Sequence, residues 1–406
     1  MPGYQAESNW SLRASALQNL ERLALVTGNY VNVADGVSFT LHRLVDALEA
    51  RGVEVTVVAP PGDHPQLDGA HHMIHVPSLK LPIQKGYRLS LALDKKTMEA
   101  IDRFDPQLIH VATPDIAGVM AVYYARKRGL ALTSTYHTNF ATYLNYWGLI
   151  PSAFTPLAWA LTRRFYSYFD QVYVPTTSLG DDLVDRGILE DYAILARGVD
   201  RFRFHRCHRS QKWRARHGID PDEKVVLFCA RIVWEKGLRT LVEAMDILDR
   251  RGPPHRVVVV GDGDQKRWLQ RNLKRAIFTG YLTGHELACA YASADVFVYP
   301  STTDTFGNVT LEAMASGLPI VGARAPGTQT LVDHEKSGLL VEPDDAQAVA
   351  EATARLLFDP MERERLGDGA ARRARKFRWP EILDRFALDL DAIVAERNDG
   401  LIGPQA

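Results

Sequence analysis

The stretch from Tyr299 to Gly322, YPSTTDTFGNVTLEAMASGLPIVG, constrains this chain more than any other. Val296-Phe297-Val298-Tyr299 is a short apolar run stopped by Pro300, and it reads as a buried strand. Ser301 to Asn308 is rich in Ser, Thr, Asp and Gly and reads as a loop. Val309 to Ser316 reads as a helix, with Gly317 past its end and Pro319 just beyond. Another buried strand begins at Leu318. Strand, loop, helix and strand in this order build a parallel α/β sheet, and such sheets bind ligands at the carboxyl ends of their strands. The backbone N–H groups of Gly307, Asn308 and Val309 would point at an anion there. Two acids, Asp304 and Glu312, bracket the loop eight positions apart.

The same unit recurs along the chain. Arg22–Gly28 reads as a first strand, Val37–Arg51 as a helix with one apolar face, and Val53–Ala59 as a second strand. Leu108–Val111, Ala131–Tyr136 and Val172–Pro175 are further strands, with a helix at Ile116–Arg128 and another starting at Ser178. Gly198–Asp222 is polar and aperiodic, and then the pattern restarts. Lys224–Ala230 and Arg256–Gly261 read as strands and Leu238–Arg250 as a helix; a strand ends at Gly280, and Glu286–Ala292 is helical. The alternation predicts an α/β protein with two Rossmann-like, doubly wound parallel-sheet domains. The expected division is a tail at 1–20, domains at 21–200 and 201–378, and an amphipathic helix within 379–406.

A chain of 406 residues is too long for one core, which agrees with two domains. A net charge of −1 provides no global field for nucleic acid, and no such partner is expected. Cys207, Cys229 and Cys289 show neither metal-ligand spacing nor a disulfide framework, which fits a reducing cytosol. No apolar run approaches the ~20 residues that span a bilayer. The polar first 19 residues do not read as a signal peptide. A cytoplasmic protein is expected, with peripheral attachment to the inner membrane face as a further expectation.

The opening stretch resembles the donor-site signature of the retaining nucleotide-sugar glycosyltransferases of family four. These have the GT-B fold, in which two Rossmann-like domains face across a cleft. The family pattern is an acid, then Phe-Gly, then Glu eight positions after the first acid, then Ala-Met-Ala-x-Gly-x-Pro. The chain carries all of it, from Asp304 through Phe306, Gly307 and Glu312 to Pro319. The first acid is usually Glu, and Asp304 is one methylene shorter. Asp-Thr-Phe-Gly-Asn resembles glycolipid branches such as the α-mannosyl and sulfoquinovosyl transferases.

The resemblance implies roles for named residues. Arg231 and Lys236, five apart in ARIVWEKG, resemble the pair that grips the donor diphosphate. Asp304 would reach hydroxyls of the donor sugar and Glu312 those of the ribose. Phe306, Gly307, Asn308 and Val309 would line the phosphate site. Gly36 and Val37 resemble the family's glycine loop, and His137 the first-domain histidine beside the reacting centre. Gly261, in Gly-Asp-Gly-Asp, resembles a donor loop, although taken alone those four residues are an ordinary turn. Tyr281 and Leu282 resemble the backbone that meets the base. Arg197 stands where the family has Asn. The tail helix would cross back to the first domain.

The implied activity is transfer of a hexosyl group from a UDP- or GDP-sugar to an acceptor hydroxyl, with retention and without metal or other cofactor. No Asp-x-Asp motif sits at a donor-loop position. A membrane glycolipid such as a diacylglycerol-type lipid is the expected acceptor. Phe140–Phe169 is aromatic with Arg163-Arg164 inside it. Lys80, Lys85, Arg88, Lys95 and Lys96 lie among Leu79, Leu81, Leu89, Leu91 and Leu93. Such mixtures suit an anionic membrane surface. A soluble or polysaccharide acceptor is the alternative. A binding-only partner protein is opposed by the intact Arg231, Lys236 and Glu312. Nucleotide-sugar epimerases lack the Asp304/Glu312 pattern, and neither first-strand loop carries the glycines of a dehydrogenase.

Overall fold

The computed structural model describes residues 17–33, 36–62, 64, 67, 71–80, 88–136 and 155–401. They form two units, one of the described residues up to Ala196 together with Pro380 onward, the other Arg197–Trp379.

In the first unit, seven described strands make one parallel sheet. They are β1 (Arg22–Val26), β2 (Glu54–Ala59), β3 (His72–His75), β6 (Leu108–Val111), β7 (Ala131–Thr135), β8 (Gln171–Val174) and β9 (Ala193–Ile194). Their order is β3-β2-β1-β6-β7-β8-β9. A separate antiparallel ribbon pairs β4 (Ser78–Lys80) with β5 (Arg88–Ser90). β1 is a continuous apolar run after Arg22, as expected where helices cover both faces of a parallel sheet, while β6 and β7 bury His110 and Thr133–Thr135 among their apolar residues. Leu23, Ala24 and Leu25 are fully buried.

The second unit has β10 (Val225–Cys229), β11 (Arg256–Val260), β12 (Ile277–Gly280), β13 (Val296–Tyr299), β14 (Ile320–Ala323) and β15 (Gly338–Val341). Their parallel order is β12-β11-β10-β13-β14-β15. Each unit is thus a doubly wound α/β sheet, the class read from the sequence. The direction of winding reverses between β1 and β6 in one unit and between β10 and β13 in the other. Loops leaving such neighbouring strands part to opposite sides and open a crevice at their carboxyl ends.

The last helix, Trp379–Asn398, closes the first unit. Leu383, Phe386, Ala387 and Leu390 are buried. The Phe386 ring meets Tyr173 at 4.7 Å and the edge of His110 at 5.6 Å. Asp384 pairs with Arg51, and Arg397 with Asp170. Asp391 accepts the backbone N–H groups of Gln18, Asn19 and Leu20 at 3.1, 2.7 and 2.8 Å. One carboxylate on this helix therefore fixes the chain just before β1.

Candidate active site

The second unit gathers most of the candidate residues at the β10/β13 reversal. The loop after β10 turns through Trp234–Lys236 and ends at Gly237, whose φ is 71°. A Cβ at Gly237 would collide with the Pro300 carbonyl, so only glycine lets this loop lie against the one after β13. The Ser301 and Thr303 hydroxyls donate to the Glu235 carbonyl at 3.2 and 3.1 Å and lace the two loops together.

That contact sets Lys236 beside Asp304, with Nζ 2.9 Å from Oδ1. The other carboxylate oxygen accepts the Tyr299 hydroxyl at 2.7 Å and the Ser301 hydroxyl at 2.6 Å. Burial by itself raises the Asp304 pKa. The Lys236 charge and the hydrogen bonds from Ser301, Tyr299 and Lys236 outweigh it, and the carboxyl lies below its usual range. Tyr299 is pushed well above the ordinary phenol value, mainly by burial and then by the Asp304 charge. Arg231 donates to Glu235 Oε1 at 3.1 Å; the guanidinium side is 46% exposed and the carboxylate side 7%. The loop thus presents one guanidinium outward and holds one ammonium inward.

The Asn308–Ala315 helix starts after Gly307, with Phe306 buried against Phe377 at 5.9 Å. The Gly307 carbonyl accepts the Thr310 and Leu311 N–H groups. The N–H groups before them belong to the first helical turn, which has no intrahelical acceptor for them. Among the described residues, Asn308 Oδ1 and Thr310 Oγ1 are buried without a hydrogen-bond partner. The Asn308 oxygen can accept from a ligand hydroxyl, and the Thr310 hydroxyl can donate to an anion held at the helix amino end.

Glu312 follows one turn later and accepts the Tyr291 hydroxyl at 2.9 Å. Tyr281 is raised by burial and then by the charge of Glu312. Burial pushes the Cys229 thiol up to about 12, which leaves it a neutral packing group. Gly261 enters from β11 with φ 134°, where a Cβ would overlap the Ala230 carbonyl. Its N–H donates to Gly280 at 2.9 Å, and Ile232 N–H donates to Asp262 at 2.8 Å. The β11 and β12 ends are thereby pinned to the Arg231 loop, and Tyr281 and Leu282 follow directly.

The structure therefore brings together Arg231, Lys236, Gly261, Tyr281, Leu282, Asp304, Phe306, Gly307, Asn308, Val309 and Glu312. Gly36 and Val37 begin the Gly36–Glu49 helix after β1, in the other unit. His137 lies outside the described residues. The sequence reading missed Tyr299, Ser301, Glu235 and Tyr291, which fix the charged groups. The position of Tyr299 and Ser301 around Pro300 at a strand's carboxyl end was the available signal. Among the described residues, no three His, Cys, Asp or Glu side chains gather as a metal ion would require.

Known proteins share this arrangement of sequence. The family model described as Glycosyl transferases group 1 matches residues 209–373. The one described as Glycosyltransferase Family 4 matches residues 34–203. The GDP-mannose-dependent alpha-mannosyltransferase of Mycolicibacterium smegmatis is 33% identical over 384 residues, 93% of this chain and 99% of that protein. The sulfoquinovosyl transferase of Arabidopsis thaliana is 32% identical over 377 residues, 91% of this chain and 73% of that protein. The alpha-monoglucosyldiacylglycerol synthase of Streptococcus pneumoniae is 26% identical over 343 residues, 82% of this chain and 78% of that protein.

Proposed function

The chain belongs to the group 1, family 4 glycosyltransferases, and from that premise we propose that it transfers a hexosyl group from a UDP- or GDP-sugar to a hydroxyl of a membrane glycolipid, with retention and without a metal ion. The observation that carries this reading is the meeting of Arg231, Lys236 and the amide end of the Asn308–Ala315 helix at one reversal point of the sheet.

The roles follow from the charge that moves. A departing nucleoside diphosphate gains negative charge, and cations already in place stabilise it without reorganising. Arg231 offers a planar fork and Lys236 a point charge. Glu312 accepts the ribose hydroxyls, and the backbone at Tyr281 and Leu282 meets the base. Retention is assigned to front-side attack, with the leaving phosphate taking the acceptor proton. His137, Gly36 and Val37 are proposed to contact the donor from the first unit.

The surface of the first unit supports a lipid acceptor. On the β4/β5 ribbon Leu79 pairs with Leu89, and Lys80 with Arg88 one step along. Strand alternation places the two pairs on opposite faces. Leu79 and Leu89 are 59% and 38% exposed. Leu93 N–H reaches Met120 Sδ at 3.3 Å, which joins this segment to the Ile116–Arg128 helix. Ile116, Val119 and Tyr123 share one face of that helix and are exposed. Leu157 and Leu161, before Arg163 and Arg164, are exposed as well. Lys85, Leu81 and residues 140–154 lie outside the described residues. Exposed apolar groups such as these, with Arg163 and Arg164 beyond Leu157 and Leu161 on the Thr155–Tyr166 helix, suit a membrane with anionic head groups. Among the described residues no helix is long and apolar enough to cross a membrane. The likeness to the Streptococcus pneumoniae alpha-monoglucosyldiacylglycerol synthase supports the same acceptor class.

A thermal-shift series with UDP-, GDP- and ADP-sugars tests the donor, followed by mass spectrometry of reactions with diacylglycerol-type lipids. One donor class is expected to raise the melting temperature and to give a glycosylated lipid. Absence of stabilisation by every nucleotide sugar would overturn the donor assignment.

A further inference from the structure

Asp304 stands where the family usually has Glu, and its carboxylate is engaged within the chain. Oδ1 takes the Lys236 ammonium at 2.9 Å. Oδ2 takes the hydroxyls of Tyr299 and Ser301 at 2.7 and 2.6 Å. A carboxylate offers about four acceptor positions, so these bonds leave little to offer a sugar. The anchors are themselves fixed. Tyr299 is 1% exposed, and its ring stacks on Phe297 at 5.8 Å. Ser301 is fully buried, and its one hydroxyl proton is shared between Asp304 at 2.6 Å and the more distant Glu235 carbonyl at 3.2 Å. The shorter aspartate keeps the carboxyl against the strand end that carries both hydroxyls. One oxygen is thus tied to β13, and the other faces Lys236. Side-chain exposures of 10% for Lys236 and 19% for Asp304 mean that little water competes for the pair.

Resting on the assignment of Lys236 to the leaving diphosphate, we infer that Asp304 is a positioning residue that aims and partly neutralises Lys236, and that it does not grip the donor sugar. An ammonium has three donors. It can hold Asp304 and still present a proton to a phosphate oxygen. Before reaction the aspartate shares the cation with the diphosphate. As charge gathers on the leaving group, the lysine's attraction to it grows, and that difference between ground and transition state is what accelerates the step. A free lysine would bind the ground state more strongly and be less well aimed.

Calorimetric titration of the full chain with UDP, GDP and ADP separates the two roles, because these ligands keep the ribose and diphosphate but lack the hexosyl group that is transferred. Asp304→Asn keeps the size and removes the charge. Positioning predicts that the preferred diphosphate binds Asp304→Asn at least about threefold tighter, since Lys236 loses a competing anion. It also predicts that kcat falls at least about tenfold. In a Lys236→Met background the same Asp304→Asn change should leave kcat where Lys236→Met put it, because residues that act through one another are not additive. Unchanged diphosphate affinity with weakened binding of the intact nucleotide sugar overturns the inference, and so do additive losses in the double mutant. If the wild-type chain binds none of the three diphosphates, the functional reading itself fails and takes this inference with it. Should Asp304→Asn not fold, Ser301→Ala and Tyr299→Phe each remove one anchor. Their smaller kcat losses should likewise vanish in the Lys236→Met background, and losses independent of Lys236 overturn the inference.

Discussion

At the scale of single residues, charge placement separates what matters from what is ordinary surface. Lys236 is held beside Asp304 in a site with little solvent, while Arg231 is nearly half exposed and leans on Glu235. Replacing Lys236 with Ala is expected to leave the circular dichroism spectrum intact and to lower turnover at least about tenfold, on the order of 1.4 kcal/mol. A folded, fully active variant would remove Lys236 from the site. A second prediction concerns His110, fully buried between the hydroxyls of Thr133 and Thr135 at 2.9 and 2.8 Å. Burial drives its pKa down to about 3, so the folded chain keeps it neutral. The unfolded chain protonates it near pH 6.5. Between those values the unfolded state binds the extra proton, and stability falls as the pH is lowered, by at most about 1.4 kcal/mol per unit. Urea titrations at pH 7 and 5 should show that loss, and it should be smaller in His110→Gln. The sequence made Lys236 readable because its spacing from Arg231 belongs to a loop pattern. The imidazole of His110 has no such mark, since its surroundings come from β7 and from the last helix.

At the scale of elements, the central strands and their helices were legible and the edges were not. Leu108–Val111 and Ile116–Arg128 coincide with the reading to the residue, because their apolar runs end at Asp115, a side chain that caps the helix by accepting Gly118 N–H, and at Gly129. The reading names neither β3 nor the β4/β5 ribbon. His72–His75 reads polar, apolar, apolar, polar, with no strand alternation and too few residues for periodicity, and it is a strand only because β2 lies beside it. Two element-level outcomes are expected. Gly261→Ala should disorganise the loops after β10 and β11, lowering both stability and donor affinity, because a Cβ there meets the Ala230 carbonyl. Phe386→Ala should cost about 3–5 kcal/mol, the usual range for emptying a buried aromatic site. Chemical denaturation of each variant measures both effects.

At the scale of the whole molecule, two doubly wound sheets were readable from the restart of the strand pattern after residue 198, but membrane behaviour was not. Leucines and lysines in one stretch do not say which of them share a face; strand pairing does. Co-sedimentation with anionic vesicles at low salt should retain the wild-type chain and lose a Leu79→Ser, Leu89→Ser double variant. Retention of that variant would place the docking surface elsewhere. Activity is expected to survive a chelator such as EDTA, and loss restored by magnesium would count against the proposed mechanism. The return of the Trp379–Asn398 helix to the first unit bears on biosynthesis. Residues 197–379 form one compact unit, whereas the sheet translated before them awaits Phe386, Leu390 and Asp391, which are translated after them. The half of the protein that leaves the ribosome first is therefore the last to mature, and a stop codon near 380 should yield one sound lobe and one that chaperones keep holding.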